Sequence, residues 1–150
     1  MEICEVPTNH SDLLQLVKVL DAFFVEKWGQ QIADGYQELH NLSQMAYALI
    51  CYDDGRAVGC GCYKVIDHQT VEMKRMYVDK RYRRQGIATM ILQCLERKAL
   101  QEGFTIAELE TGKDMQDNIL MYKKCGYHLV ANYGVFVDDD ICVCMKKYLQ

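Results

Sequence analysis

The stretch that most restricts the fold runs from residue 71 to residue 103, where a strand, a basic turn and a helix follow one another. Residues 71–78 form an apolar, strand-like run, and the basic cluster at residues 80–84 separates this strand from Gly86. The helix that begins there is amphipathic and ends at a second glycine, Gly103. Its apolar stripe consists of Ile87, Ile91, Leu95 and Ala99. A strand joined in this way to an amphipathic helix predicts an α/β fold.

The remaining segments predict strands and helices in the overall order β-α-α-β-β-β-α-β-α-β-β. Strands are predicted at residues 2–6, 46–52, 57–66, 71–78, 105–111, 127–130 and 141–145, and helices at residues 11–28, 32–39, 86–102 and 115–124. The Asp-Gly pair at residues 54 and 55 indicates a hairpin between the second and third strands. Hairpins followed by a strand–helix–strand crossover imply a mixed α/β sheet with helices on both faces.

The length and the net charge of the chain indicate its number of domains and argue against nucleic-acid binding. The chain has 150 residues and no internal repeats, which predicts a single domain over residues 1–150. Its formal net charge is −4, whereas proteins that bind nucleic acid through phosphates normally carry a basic surface. The one basic cluster, at residues 80–84, suits a small phosphorylated ligand better than a duplex. We therefore expect no nucleic-acid partner.

We expect the eight cysteines to be reduced and mostly buried thiols, because a chain of this length can form a stable core without disulfides. Neither Cys60/Cys62 nor Cys142/Cys144 has the C-x-x-C spacing of a zinc site, and we expect no metal. The first residues lack signal-peptide regions, and no apolar run reaches the ~20 residues that span a bilayer. These features predict a cytoplasmic protein without a membrane partner.

The start of the helix at Gly86 is a candidate anion site. The first N–H groups of a helix lack intrahelical partners and lie at the positive end of its dipole. Gly86 lets a phosphate approach the backbone, Ala88 keeps the next position small, and Thr89 adds a hydroxyl. Arg83 and Arg84 supply positive charge beside them. The alternative is a plain strand–turn–helix with a solvated basic turn.

This segment lacks the lysine motif of a P-loop and the Gly-x-Gly-x-x-Gly of dinucleotide folds, which implies another pyrophosphate-bearing ligand. Residues 83–88, Arg-Arg-Gln-Gly-Ile-Ala, match instead the Arg/Gln-x-x-Gly-x-Gly/Ala signature of the GNAT superfamily of N-acetyltransferases. A second family signature, an aromatic residue followed by a glycine–aromatic step, is present at residues 122–127. The chain resembles this superfamily over residues 59–127, whereas residues 1–45 fit only as a strand and two variable helices.

The resemblance implies a mostly antiparallel sheet that splays open between its fourth and fifth strands, at residues 71–78 and 105–111. The pantetheine arm of acetyl-CoA, the expected co-substrate, fills that gap like an added strand. The family often has an asparagine where Met115 stands, so Asn118 or Gln116 is expected to supply that contact. The residues implied in binding acetyl-CoA are Met76, Tyr77, Val78, Arg83, Arg84, Gln85, Gly86, Ile87, Ala88, Thr89 and Asn118.

The fourth strand independently indicates a distortion near residues 74–75. Val71 and Met73 share one parity, whereas Met76 and Val78 share the other. One extra residue between these two pairs, as in a β-bulge, would place all four side chains on the same face. The alternative is a strand that is buried on both faces.

The resemblance also implies direct attack of a neutral amine on the acetyl thioester within a ternary complex. An alkyl amine has a pKa near ~10.4 and must first lose a proton, and Glu72 matches the general base of some family members. Glu72 can equally be a solvated residue or a substrate contact. A backbone N–H near Val78 is the candidate oxyanion donor. Tyr122 matches the general acid, since a hydroxyl with a pKa near ~10 can protonate the departing thiolate, although a core role is the alternative.

The acceptor is bound in this family by segments that correspond to residues 24–42 and 132–140. Their most distinctive side chains are Trp28, Tyr36, Tyr133 and the acidic run Asp138, Asp139 and Asp140. An acidic rim would attract a cationic amine, whereas the alternative is a solvated loop. A free small-molecule amine is favoured over a peptide amine.

Two competing functions follow from the same residues. The first is a catalytically silent sensor that binds acyl-CoA on the same fold, and the retained Tyr122 argues against it. The second is a nucleotide-phosphate-binding protein, which the missing lysine motif disfavours. The sequence leaves open a homodimer formed through the C-terminal strands.

Overall fold

The computed structural model describes residues 1–150, and its helices and strands follow the predicted order. The strands are β1 (Glu2–Val6), β2 (Tyr47–Asp53), β3 (Arg56–Val65), β4 (Thr70–Val78), β5 (Ile106–Gly112), β6 (His128–Val130) and β7 (Cys142–Tyr148). The helices are α1 (Ser11–Trp28), α2 (Gln30–Tyr36), α3 (Ile87–Gln101) and α4 (Gln116–Lys124). The predicted α/β class is confirmed.

All seven strands belong to one mixed sheet with the order β1-β2-β3-β4-β5-β7-β6. The pairs β1–β2, β2–β3, β5–β7 and β6–β7 are antiparallel, whereas β4 and β5 are parallel. The parallel ladder comprises three residue pairs, from Thr70–Ile106 to Glu72–Glu108. Strand β4 continues to Val78 and β5 to Gly112. The predicted opening of the sheet between these two strands stays a prediction.

Local signals in the sequence determine the hairpin between β2 and β3 and the whole of α3. Asp54 and Gly55 have φ values of 49° and 81°, the positive values that a type I′ hairpin turn requires. Gly103, with a φ of 94°, follows the last turn of α3 as predicted. The four residues of the predicted apolar stripe, Ile87, Ile91, Leu95 and Ala99, are all buried.

Helix α2 is displaced from its prediction, because it spans Gln30–Tyr36 rather than residues 32–39. Gly29 ends α1 by donating its N–H to the Val25 carbonyl at 2.8 Å, and its own carbonyl accepts from Ala33 at 3.1 Å. One glycine with a φ of 88° therefore serves both helix ends. The prediction began the helix at the apolar Ile32, which is in fact exposed.

Strand β4 is irregular at Arg75, whose φ of 57° lies in the left-handed region, so the predicted distortion is confirmed. The alternative also holds in part, because every residue from 70 to 75 is buried. The Arg75 guanidinium donates to the Asp21 carboxylate and, at 3.4 Å, to the Val17 carbonyl. Its Nε and Nη1 atoms are buried without a hydrogen-bond partner. A left-handed residue with a half-satisfied buried charge marks a strained point of the strand.

The chain divides into two compact units, of which the first contains residues 1–65 and 73–95 and the second residues 66–72 and 96–150. In the second unit, Leu109 of β5 and Met145 of β7 pair directly and are both buried. The core of the first unit consists of Val6, Leu13, Leu16, Val17, Met45, Ala48, Ile50, Cys60 and Cys62. A single domain over residues 1–150 stays a prediction.

Within the first unit, α3 lies against β3 with almost no clearance at two glycines. A Cβ atom on Gly59 would lie 3.1 Å from the Tyr77 carbonyl oxygen and 3.2 Å from Ile91 Cδ1. A Cβ atom on Gly61 would lie 2.5 Å from Met76 Sδ and 2.7 Å from Ile91 Cγ2. The helix can approach the strand this closely because neither residue has a side chain. These contacts fix the position of α3 on the sheet.

All eight cysteines are free thiols, and five of them are buried, as the sequence predicts. Burial raises the pKa of the Cys60 thiol to about 12, so this thiol stays protonated at neutral pH and reacts slowly. None of the four helices combines the length and the apolar composition that crossing a membrane requires.

Candidate active site

The basic turn after β4 is held by Asp79. The Asp79 carboxylate accepts the backbone N–H of Arg81 at 2.9 Å and the Arg81 guanidinium at 2.9 Å, while the Asp79 N–H donates to the Val58 carbonyl at 2.8 Å. These hydrogen bonds from Arg81 lower the pKa of Asp79 to about 2. Two cations of the turn, Lys80 and Arg81, are exposed, and one of them is committed to an internal ion pair. The shape of the turn thus depends on its one carboxylate.

The two arginines of the predicted signature have different surroundings. Arg83 donates from Nε to the Val78 carbonyl at 3.0 Å, and its guanidinium carbon lies 6.0 Å from the centre of the Tyr77 ring. Arg84 is exposed and adopts a φ of 63°. Arg83 therefore folds back on the end of β4, whereas Arg84 points its charge to solvent, where an anion can reach it.

Gly86 opens the first turn of α3. Its φ of 78° disfavours any residue with a side chain, and a Cβ atom placed there would meet nothing within 4 Å. Its carbonyl accepts the first helical hydrogen bond, from Met90 at 3.0 Å, so the N–H groups of Ile87, Ala88 and Thr89 precede the helical ladder. The structure thus combines open space above Gly86 with the positive end of a helix of 15 residues.

Some predicted cofactor residues have side chains that face the protein interior. Ile87 is buried in the α3 stripe and can offer a ligand only its backbone groups, whereas the partly exposed Met76 directs its Sδ atom toward Gly61. Tyr77, Val78, Ala88 and Thr89 are partly exposed, and Gln85 is fully exposed. All predicted cofactor residues from Met76 to Thr89 lie together in the first unit.

Asn118 and the two predicted acid–base residues, Glu72 and Tyr122, lie in the second unit. The Asn118 amide nitrogen is 4.0 Å from Met115 Sδ, a weak contact that leaves this amide available. Gln116, the other proposed substitute for the family asparagine, donates from its side chain to the Lys113 carbonyl at 2.9 Å. Asn118 is therefore the better candidate for a ligand contact.

Tyr122 lies on α4 and is only 6 % exposed. Burial, followed by the negative charge of Glu110, raises the pKa of Tyr122 above its ordinary value, so the hydroxyl stays protonated at neutral pH. The ring packs edge-on against Tyr127 at 5.9 Å between ring centres. The hydroxyl donates no hydrogen bond to another group of the chain. Tyr122 therefore has the protonation state and the uncommitted hydroxyl that a proton donor needs.

Tyr127, the last residue of the second signature, has the opposite arrangement. Its hydroxyl donates to Glu96 Oε2 at 2.8 Å, and Lys147 Nζ contacts the other carboxylate oxygen of Glu96 at 2.9 Å. The same ammonium group lies 5.7 Å from the centre of the Tyr127 ring. Tyr127 thus belongs to a buried polar network that stabilises the second unit, and the sequence analysis assigned the general-acid role to Tyr122 alone.

Glu72 is 3 % exposed, which excludes the solvated-residue alternative. Its Oε2 atom accepts a hydrogen bond of 2.5 Å from the hydroxyl of Tyr133. Burial and the charge of Glu72 raise the pKa of Tyr133, so this hydroxyl remains a donor. On β5, Glu108 is the parallel register partner of Glu72, and Lys146 of β7 lies 3.5 Å from the Glu108 carboxylate. Sequence reasoning missed the Glu72–Tyr133 pair, since no local pattern links residues this far apart.

The predicted acceptor segments are partly ordered by their own contacts. Trp28 packs on Phe24 at 5.3 Å between ring centres, and Tyr36 stacks on His40 at 5.7 Å. In the acidic run, the Asp139 carboxylate accepts the Ile141 N–H at 2.9 Å, whereas its two acidic neighbours in sequence are exposed. Asp139 therefore stabilises the conformation of the loop before β7, and only the other two aspartates of the run are exposed.

Known proteins are similar to the chain along most of its length. A Xenopus tropicalis protein assigned as an N-acetyltransferase is 34% identical over 96 residues, which are 63% of this chain and 47% of that protein. The chain thus spans about half the length of that relative. A Klebsiella pneumoniae structure assigned as an acyl-CoA N-acyltransferase is 27% identical to this chain and superposes with a TM-score of 0.82. The alignment covers 99% of this chain and 97% of the Klebsiella pneumoniae chain.

The fold is shared with a GNAT family acetyltransferase from Elizabethkingia anophelis that was crystallised with acetyl-CoA bound. The TM-score is 0.75 at 17% identity, and the alignment covers 99% of this chain and 97% of that chain. The model of the acetyltransferase (GNAT) family matches residues 13–127, which include both predicted signatures. The match extends the resemblance from its strongest part, residues 59–127, back through α1. The chain therefore belongs to the acetyltransferase (GNAT) family, a family of acyltransferase enzymes.

Proposed function

We propose that the protein transfers the acetyl group of acetyl-CoA to a primary amine, by direct attack within a ternary complex. The observation that carries this proposal is the buried, protonated Tyr122 with its uncommitted hydroxyl. A purely structural tyrosine at this degree of burial normally pairs its hydroxyl, as Tyr127 does with Glu96. Membership of the GNAT family supports the reaction class.

The first unit supplies the groups that would bind the co-substrate. The N–H groups of residues 87–89 and the exposed Arg84 would hold the pyrophosphate above Gly86. Backbone groups of residues 76–78 would pair with the pantetheine arm as an added strand does. In the second unit, the amide of Asn118 is proposed as a separate ligand contact. The acetyl-CoA bound to the Elizabethkingia anophelis relative supports this choice of ligand.

Each protein group in the proposed reaction has one task. Glu72 removes a proton from the attacking ammonium group, directly or through water, and the amine nitrogen then bonds to the carbonyl carbon of the thioester. The backbone N–H of Val78 is proposed to donate to the oxyanion that results. The nitrogen of this intermediate releases its second proton to solvent. The carbon–sulfur bond then breaks to leave the neutral amide, and the departing thiolate takes the hydroxyl proton of Tyr122, which solvent later restores.

The proposed acceptor is a small-molecule amine. The buried Glu72 and the exposed carboxylates of residues 138 and 140 favour a cationic acceptor. The test is incubation with acetyl-CoA and a pooled panel of amines, amino acids and peptides, followed by mass spectrometry. Mass detection is needed because the eight free thiols of the protein interfere with reagents that detect released CoA thiol.

The expected result is an acetylated amine whose formation is lost in Tyr122→Phe. Tyr148→Phe is the matched control, since Tyr148 is 61% exposed and stacks on His128. If acetyl-CoA raises the melting temperature but no member of the panel is acetylated by either protein, a silent acyl-CoA-binding module replaces the enzyme. Equal turnover by Tyr122→Phe and the parent would refute the proposed proton donor.

A further inference from the structure

The segment between β6 and β7 is organised around Asn132. The Asn132 amide donates to the carbonyl oxygens of Phe136 and Asp139, both at 3.0 Å. Phe136 is buried, and its ring meets that of Tyr133 at 5.8 Å between ring centres and an interplanar angle of 89°. The loop is therefore closed on itself by a side-chain amide and anchored by an apolar residue, and these contacts restrict the Tyr133 ring.

The hydroxyl of Tyr133 reaches Glu72 from this restricted ring. The two residues are 61 positions apart, yet the donor–acceptor distance is 2.5 Å and Glu72 is almost fully buried. A carboxylate buried to this degree requires hydrogen-bond donors, and a donor on a packed aromatic ring also limits the orientation of the carboxylate. Two charged neighbours of Glu72, Glu108 of β5 and its ion-pair partner Lys146 of β7, lie on the adjoining strands.

We infer that Tyr133 is a positioning residue that holds the Glu72 carboxylate in the orientation needed to take the proton of the acceptor amine. The inference rests on the proposed function, because it assumes that Glu72 is the base. Tyr133 itself exchanges no proton in the reaction. The proton passes from the ammonium group to Glu72 before the amine nitrogen bonds to the thioester carbon, and Tyr133 remains protonated throughout.

The inference connects the acceptor-side loop to the chemistry. A loop that closes correctly places Tyr133 against Glu72, whereas a loop that opens releases the carboxylate from its donor. The state of residues 132–141 would therefore control kcat. A structural role alone would instead affect the melting temperature and leave kcat in place.

The test is a double-mutant cycle of Tyr133→Phe and Glu72→Gln, with Tyr148→Phe as the matched tyrosine control. Rates are measured with the amine that gives most product in the panel and, independently of that panel, by hydrolysis of acetyl-CoA with water as acceptor. We expect Tyr133→Phe to lower kcat by about 10- to 100-fold, the size expected for a hydrogen bond to a charged group, with KM for acetyl-CoA unchanged. In the Glu72→Gln background the same substitution should have almost no further effect.

A second variant guards against a folding defect in Tyr133→Phe. Asn132→Ala removes the amide that closes the loop and leaves the Tyr133 hydroxyl intact, so it should lower kcat in the same direction and by a smaller factor. Melting temperatures of all variants separate loss of structure from loss of rate.

The outcomes distinguish the inference from the function on which it depends. Turnover that Glu72→Gln lowers and Tyr133→Phe does not would overturn the role of Tyr133 alone. Equal losses from Tyr133→Phe in both backgrounds, or a raised KM for the amine at constant kcat, would make Tyr133 a substrate contact. Turnover unaffected by Glu72→Gln would refute the proposed base, and no turnover by the parent would refute the enzyme.

Discussion

Residues 79–89, the turn proposed to bind the phosphates and called the phosphate-side turn below, differ in exposure and in functional groups from the proposed acid–base residues of the second unit. The turn is largely exposed, and its ligand-directed groups are backbone N–H groups and arginines. The proposed acid–base residues Glu72 and Tyr122 are buried side chains, and Glu72 accepts a hydrogen bond from the partly buried Tyr133. Binding an anion needs donors that a ligand can reach, whereas controlling a proton needs an environment with little water.

Because the two regions have different proposed roles, substitutions in the turn and substitutions among the buried side chains should affect different kinetic constants. Changes in the turn should alter KM for acetyl-CoA, since they remove interactions that the ground state and the transition state share. Changes among the buried side chains should alter kcat, since proton transfer occurs only in the reaction itself. The predictions that follow test this separation.

The largest effect is expected for Tyr122→Phe. Loss of the only proton on its hydroxyl should lower kcat by about 10²-fold or more, because the thiolate then leaves without a general acid. KM for acetyl-CoA should change little, as measured by steady-state kinetics with mass detection. Tyr127→Phe is the contrasting variant: it breaks the bond to Glu96 and should lower stability by about 1.5–3 kcal/mol while largely keeping kcat. A reversed pattern would exchange the roles of the two tyrosines.

Gly86→Ala should raise KM for acetyl-CoA by about tenfold, because a left-handed residue with a side chain costs about 1–2 kcal/mol and the turn relaxes away from the ligand. The value of kcat at saturation should be retained. Gly103→Ala is a close control, since Gly103 also has a positive φ and open space around it but stands at the other end of α3. If both variants raise KM equally, the effect is one of stability and the start of α3 is no binding site.

Arg84→Gln is expected to raise KM for acetyl-CoA by roughly threefold at low salt, and the difference should shrink in 0.5 M NaCl, since salt screens an exposed charge. Arg97→Gln, an exposed arginine later in α3, should leave KM unchanged at both salt concentrations. A KM rise that is insensitive to salt would mean that Arg84 acts through the shape of the turn.

The smallest effect is expected for Asp79→Asn, and it should depend on pH. The pKa of the Asp79 carboxyl is held at about 2, below its ordinary value of 3.8, so its stabilising contribution is complete above that ordinary value and is lost as pH falls toward 2. The melting temperature of the variant should therefore fall below that of the parent at pH 6 and approach it near pH 2.5. Asp138→Asn, in an exposed position, should show no such convergence.

Features that depend on a few adjacent residues could be predicted from the sequence. The period of α3 predicts its buried stripe, and Asp54-Gly55 predicts the turn between β2 and β3, because in both cases the determining contacts lie within a few positions. The distortion of β4 was predicted from a change in alternation and occurs at Arg75. The turn between β4 and α3, with Gly86 at a positive φ, could be predicted for the same reason, whereas its role in binding phosphate stays a prediction.

Features that depend on distant residues could not be predicted. Glu72 is hydrogen-bonded to Tyr133, 61 positions away, and Tyr127 to Glu96, 31 positions away. Neither hydrogen bond produces a periodic pattern in the sequence from which it could be predicted. The contact of Met76 Sδ with the space above Gly61 was likewise not predicted, because it depends on how α3 packs on β3. The start of α2 was missed because Gly29 serves two helices at once.

Gly59 and Gly61 have a consequence for anyone who alters this protein by random mutagenesis. Neither glycine belongs to the phosphate-side turn, but the space they leave sets how far the first turns of α3 stand from the sheet. If the start of α3 binds acetyl-CoA as proposed, a library scored for product should record Gly61 as a sensitive position. Compensating changes are expected at Ile91 and Met76, the two side chains that must move to admit a methyl group at Gly61.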